Sequence, residues 1–380
     1  MYVQEYAFTE QNVESQDTVH SLCSLVQTLQ KLSLKYGFKE DSILLNVGRA
    51  DSINAIKLIP SVIESMPSIS ASANISCSGA GGSPAVSLPD ASTAHAAASV
   101  ISQLSTCTDA GQGNFNFSAT SCCPPCIPFF PTAYAPSIRD NPTQHLFSGI
   151  GMELSTVIHE ACQTVVQECQ DKGTEDKVLA KASETLQTVL STQLHAVHHH
   201  ATAVSEGMGV IYRGIDTSIA PSPTGASLVD AFELLGRLIY PTFCFGKSGS
   251  LAIASMMTNV IKSFDFSSPE VEFSHKIGYN GLMLPPLEDT GLAQRAREKT
   301  YTIHDLLMFS SVCGIGLDTV PISGNVSTEG IQAIIMDIVS LSSKWDKPLS
   351  CRLFPVSGKN AGEVTEFHHP HLCNGAIFDI

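Results

Sequence analysis

Gly316-Leu-Asp-Thr-Val-Pro-Ile322 and Ser350-Cys-Arg-Leu-Phe-Pro-Val356 flank a stretch, Thr328–Trp345, in which apolar residues recur at helical spacing. The two outer segments are short apolar runs bounded by Gly and polar residues, the pattern of strands buried on both faces. Strand, helix and strand in this order favour a mainly parallel sheet with helices packed against it.

Working outward, the same alternation fills the chain. Helical periodicity appears over Ser15–Leu34, Ser52–Ser65, Ser92–Ser105, Met152–Gln170, Lys177–Glu206, Ser227–Leu238, Leu251–Phe264 and Ile303–Val312. Between these lie strand-like runs at Ser42–Val47, Ser72–Cys77, Phe115–Ala119, Gly209–Asp216 and Lys276–Leu284. The expected fold is α/β, with a mainly parallel sheet inside and helices outside. No charged or low-complexity linker divides the chain. Ser78–Pro89 and Pro124–Pro142 read as long ordered loops, so residues 1–380 are expected to form a single domain.

Composition narrows the function classes. Hydrophobic residues make up 43% and charged residues 15%, which favours a large core over disorder. Asp and Glu number 36 against 21 Lys and Arg, a formal charge of −15 that repels phosphate backbones and anionic lipid. Nucleic acid and membrane are therefore not expected partners; a small-molecule substrate is, and a homodimer is compatible. No run approaches about 20 apolar residues, and the opening lacks a basic segment followed by an apolar one. Twelve cysteines without an export signal read as free thiols, and the expected location is cytoplasmic.

Several polar residues fall beside apolar strands and Gly/Pro loops, where parallel α/β folds place ligands. Asp216, Glu288, Asp289 and Asp318 share that setting. Gathered at one mouth, such carboxylates would serve as general acid and base or hold a divalent cation; taken singly, each would cap a helix or order a turn. Cys123 and Cys126 form a C-x-x-C next to Cys122, but no second pair completes a zinc set, and Pro128 and Pro131 oppose a thioredoxin-type helix. His195 and His199 share a helical face, which reads as a solvated surface or as a metal chelate. His368, His369 and His371 form a tail placed to fold back over a site. Ser78–Ser83 and Ser357–Gly362 resemble anion-cradling loops, with Arg352 or Lys359 to balance a carboxylate. Neither matches a P-loop or dinucleotide motif, so no nicotinamide or flavin cofactor is expected.

The second half also resembles a known family. Pro128-Phe-Phe-Pro131 with Ala133-Tyr134 is followed by Gly149-Ile-Gly-Met-Glu153 and Gly214-Ile-Asp-Thr-Ser-Ile-Ala-Pro221. Leu284-Pro-Pro-Leu-Glu-Asp-Thr-Gly291, Val312-Cys-Gly-Ile-Gly-Leu-Asp318 and Arg352–Gly362 complete the order. Together, over residues 125–367, these resemble the DUF711 (UPF0210) family. The resemblance implies a pyruvate-formate-lyase-like α/β barrel, strands inside and helices outside, with a finger-like loop threading the interior. The R-V-x-G-[FWY] motif that a glycyl radical requires is absent near Gly375, and His368–Cys373 replaces the family's Gly-rich ending.

The sequence thus leads to a non-radical enzyme of lyase, isomerase or cyclase type acting on a small polar, carboxylate-bearing molecule. Glu153, Asp216, Glu288, Asp289 and Asp318 are the expected acid/base groups, and Ser218, Arg352 and Lys359 the expected substrate contacts. A metal-dependent hydrolase and a non-catalytic ligand-binding protein on the same scaffold are the alternatives.

Overall fold

A computed structural model describes residues 45–79, 87–129, 131–132, 147–208, 211–266 and 276–380, with isolated helical positions between 19 and 34. Its largest sheet contains β1 (Leu45–Ala50), β2 (Ile69–Asn74), β5 (Phe117–Ser121), β9 (Leu349–Val356) and β8 (Gly316–Ser323), side by side in that order. Every neighbouring pair is parallel except β5–β9, which is antiparallel. A short hairpin joins β3 (Cys77–Gly79) to β4 (Ser87–Pro89). A second, parallel pair is formed by β6 (Phe147–Glu153) and β7 (Ile211–Ala220).

The helices follow from local signals. α1 (Ile53–Ser65) starts where Ser52 Oγ accepts from the Ala55 N–H, and α2 (Ala91–Cys107) where Asp90 accepts from Ser92. α3 (Ser155–Lys172) ends on Gly173 in the left-handed conformation. The long α4 (Val178–Met208) leads into β7. α5 (Leu228–Ile239) is capped by Ser227, and α6 (Ser250–Ser263) follows. α7 (Thr290–Arg297) is capped by Asp289, and α8 (Ile303–Ser310) opens with a Thr302/Asp305 capping box. α9 (Thr328–Trp345) is capped by Ser327 and spans the predicted residues. It buries Ile331, Ile334, Ile335, Ile338 and Val339, one apolar stripe facing the core. β9 is buried along its whole length, as a strand between two neighbours should be.

Three expectations change. Lys276–Leu284 is not a continuous strand but touches β7 through isolated parallel bridges at Ile215↔Lys276 and Ile219↔Leu282. Positive φ at Gly278 (82°) and Asn280 (51°) turns the backbone out of the extended region between them. The helix predicted from Met152 begins at Ser155, because Met152 and Glu153 end β6, a strand whose Gly149 and Gly151 dilute the apolar pattern. Among the described residues the pairings form an open five-stranded sheet and two strand pairs rather than a closed ring. The helix predicted over Ser15–Leu34 lies largely outside the described residues, as do residues 80–83 of the Ser78–Ser83 loop and Ala133-Tyr134. Among the described residues no helix is long and apolar enough to cross a membrane.

Candidate functional site

The register of the large sheet brings its polar side chains to one face. Ser350 and Arg352 are two apart on β9 and point the same way, and Ala119↔Cys351 pairing sets Ser118 of β5 beside them. On the other flank the β8–β9 ladder is irregular. Leu317 pairs with Cys351 and Val320 with Leu353, so Asp318 and Thr319 together face the single residue Arg352. This is a β-bulge, a device that re-aims a side chain. Thr319 takes φ 45°, an uncommon conformation for a β-branched residue, and its buried hydroxyl has no hydrogen-bond partner. The bulge sends the Asp318 carboxylate onto Arg352, whose Nε donates to Oδ1 at 2.6 Å.

The guanidinium has a second carboxylate. Arg352 Nη2 donates to Glu288 Oε1 at 2.5 Å, and Nη1 donates to the Phe115 carbonyl at 3.3 Å. The Phe115 ring lies 5.1 Å from the guanidinium carbon, a cation–π contact. Burial alone would lower the Arg352 pKa, but the charges of Asp318 and Glu288 outweigh it and hold the group protonated. Glu288 itself is pushed up to about 7. Desolvation is the main cause and the Asp318 charge adds to it, against the pull of Arg352. One buried cation thus sits between two carboxylates, and the proton that Glu288 binds is exchangeable near neutral pH.

This cluster borders a cavity of about 310 Å³. One wall is the sheet face with Ser118, Asp318, Ser350 and Arg352. The facing wall comes from β6 and the end of β7, with Gly151, Met152, Glu153 and Ala220–Pro223, and from Tyr279 and Met283. Phe115 and His371 also line it, their rings stacked at 5.9 Å and 7°. Of the three tail histidines, His371 is the one among the lining residues. His369 packs on Phe115 at 4.4 Å, and its pKa is lowered to about 4 by desolvation and by the neighbouring His371 and Arg352.

The sequence-derived candidates separate accordingly. Glu153, Glu288, Asp318 and Arg352 meet at the cavity. Glu153 Oε1 accepts from the Ser155 N–H at 2.7 Å and from the Ser155 hydroxyl, where α3 begins. Asp216 is fully buried, and its carboxylate accepts from the backbone N–H groups of Ser218 (2.8 Å), Tyr279 (2.8 Å) and Asn280 (3.0 Å). It shapes the turn that presents Tyr279, and burial pushes its pKa up against those bonds. Asp289 accepts from Ser227 Oγ, Leu228 N, Gly291 N and Leu292 N, holding the starts of α5 and α7 together. Ser218 Oγ accepts from the Gly281 N–H at 3.1 Å. None of these three is among the cavity-lining residues. Lys359 pairs with Glu366 at 2.9 Å, and the Ser357–Gly362 loop turns its Asn360 N–H onto Glu363 at 2.6 Å, so its donor meets a carboxylate of the same chain.

The other motifs lie elsewhere. All twelve cysteines are free thiols. Cys123 is buried, its Sγ donates to the Leu349 carbonyl at 3.5 Å and contacts the Tyr279 hydroxyl at 3.7 Å, and desolvation pushes its pKa up to about 12. His195 is exposed on α4, and His198 Nδ1 meets the Tyr212 hydroxyl at 3.0 Å. Among the described residues no three His, Cys, Asp or Glu side chains gather in a set that could hold a metal ion. Tyr279, Met283 and Phe115 were not foreseen. The one signal available was the Gly278-Tyr-Asn-Gly281 turn, an aromatic residue between two glycines.

A family described as uncharacterised ACR (DUF711) matches residues 3–368. The chain is similar to a UPF0210 protein of Pyrobaculum aerophilum, 34% identical over 161 residues, covering 42% of this chain and 34% of that protein. A UPF0210 protein of Oleidesulfovibrio alaskensis is 33% identical over 166 residues, covering 43% and 34%. One of Methanocaldococcus jannaschii is 30% identical over 165 residues, again covering 43% and 34%. The matched stretch spans about a third of the length of these relatives.

Proposed function

The chain belongs to the DUF711 family, and from that premise we propose that it is a non-radical, cytoplasmic enzyme of lyase, isomerase or cyclase type, whose Glu288 and Asp318 exchange protons with a small polar molecule in the cavity. The observation that carries this reading is the Glu288–Arg352–Asp318 cluster at the cavity wall. General acid–base catalysis works best when the group's pKa lies near the working pH. Glu288, raised to about 7, meets that condition. Arg352 acts as a positioning residue that fixes both carboxylates and carries none of the transferred protons, because a guanidinium keeps its charge. Asp216 and Asp289 take positioning roles through the backbone they bind.

The pyruvate-formate-lyase-like barrel is part of the proposal. It is supported by two strand systems that face each other across one cavity, and by the bridges that add residues 276–282 alongside β7. A non-catalytic ligand-binding protein on the same scaffold predicts binding without turnover, and one experiment separates the two. Panels of small polar metabolites are incubated with the protein in D2O and followed by NMR for deuterium incorporation or product. The expected outcome is conversion by the wild type, with Glu288→Gln and Asp318→Asn slower by about 10²–10⁴-fold at unchanged fold. Full activity in both variants would remove the assignment.

A further inference from the structure

Resting on the cavity as the reaction site, we infer that its ligand is a small organic cation, an ammonium group carried on an apolar body, rather than a carboxylate. The charge inventory reverses what Arg352 and Lys359 suggest in isolation. Among the described lining residues Arg352 is the sole Lys or Arg, and its Nε, Nη1 and Nη2 already donate to Asp318, Phe115 and Glu288. A ligand carboxylate would have to displace one of two buried carboxylates from that guanidinium. Lys359 is engaged by Glu366 and is not among the lining residues.

The cavity wall therefore carries three acidic side chains, Glu153, Glu288 and Asp318, against one guanidinium and the imidazole of His371. Glu153 stands on the β6 wall and the other two belong to the cluster on Arg352, so negative charge borders the space on more than one side. Opposite charges attract more strongly in a partly desolvated cleft than in water, and an anion brought there meets net repulsion. Phe115, Phe129, Met152, Met283 and Ile315 add apolar, polarizable surface, interspersed with hydroxyl side chains and His371. Aromatic faces add cation–π attraction, and the Phe115 ring already makes such a contact with Arg352. A volume of about 310 Å³ is at the lower end for ligand sites and sets the size class.

The test uses the full chain and two probes of the same size and opposite charge, benzylammonium and benzoate, titrated by calorimetry at low and at moderate salt. Benzylammonium is expected to bind at least about tenfold more tightly, with the preference shrinking as salt rises. Glu153→Gln removes one charge but keeps an amide oxygen to accept from the Ser155 N–H, so its fold is preserved. It should weaken benzylammonium about fivefold and leave benzoate unaffected or slightly improved. Equal or tighter binding of benzoate overturns the inference. So does no benzylammonium binding up to about tenfold above the millimolar range of weak ligands, or binding that Glu153→Gln does not change. Any of these leaves the proton-exchange reading to its own test in D2O, which uses Glu288 and Asp318 and no charged probe.

Discussion

At the residue scale the molecule turns on how one buried guanidinium is shared. Removing one partner of a buried ion cluster leaves an uncompensated charge at a cost of about 3–5 kcal/mol, so the cluster is held together more by what its dissolution would expose than by attraction alone. Glu288 is the member able to change state. Its pKa in the fold, about 7, lies above its ordinary 4.5, so the folded chain holds the proton more tightly than the unfolded one. The stabilising contribution of that proton is complete below about 4.5 and disappears as pH rises to about 7; above that the group adds no further slope. Wild type should therefore lose up to about 3 kcal/mol relative to Glu288→Gln across this window, since Gln stays neutral throughout. Urea unfolding of both proteins at intervals from pH 4.5 to 8 measures the difference. Parallel stability curves would show that Glu288 titrates normally. Sequence pattern named Glu288, Asp318 and Arg352 because each stands beside an apolar run and a Gly/Pro turn. Their contact was not legible, since it depends on a bulge in which Thr319 takes a conformation its residue type disfavours.

At the element scale, Asp289 illustrates the capping reading of an acidic residue after an apolar strand. Its two oxygens receive the hydroxyl of Ser227, the cap of α5, and the N–H groups of Leu228, Gly291 and Leu292. One carboxylate thereby ends the orphan donors of two helices at once. Asp289→Ala leaves the buried N–H groups of Leu228 and Leu292 and the half-buried one of Gly291 without this acceptor and should cost about 3–5 kcal/mol, whereas Asp289→Asn, which retains an acceptor, should cost about 1–2 kcal/mol. Denaturant unfolding gives the two values, and hydrogen exchange should quicken at Leu228 and Leu292 before it does in β9. Equal losses for Ala and Asn would mean that charge, not acceptor geometry, matters there. Helices were the most legible elements: α9 occupies the residues its periodicity marks, with Ser327 as the cap. Strands were less so. β6 is interrupted by Gly149 and Gly151, whose added Cβ atoms would fall 2.6 Å from Ile277 and 2.5 Å from Phe129, so close packing excludes the side chains that would have signalled a strand.

At the scale of the whole molecule, residues of two strand systems line one cavity, and the segment 276–284 is bonded to both. It bridges to β7 at Ile215 and Ile219, while the Leu282 carbonyl accepts from the Gly314 N–H at 2.9 Å, just ahead of β8. Gly281 and Gly314 meet backbone to backbone at this junction; a Cβ on Gly281 would lie 2.1 Å from the Gly314 Cα. No side-chain rotamer relieves such a clash, so the strip has to move away from β8. This pairing of glycines far apart in sequence is where single-chain reasoning has least to read, because each looks like an ordinary loop residue until the two are brought together. Gly281→Ala should therefore destabilise the fold by at least about 1–3 kcal/mol, the usual range for overpacking. It should also widen the entrance beside Met283 and Tyr279, and water admitted there lowers the desolvation that raises Glu288. The expected result is a lower melting temperature together with a Glu288 carboxyl titration, followed by carbon-13 NMR, that moves from about 7 towards 4.5. A variant that melts earlier yet leaves the titration in place would separate the strip's structural role from any control over the cavity.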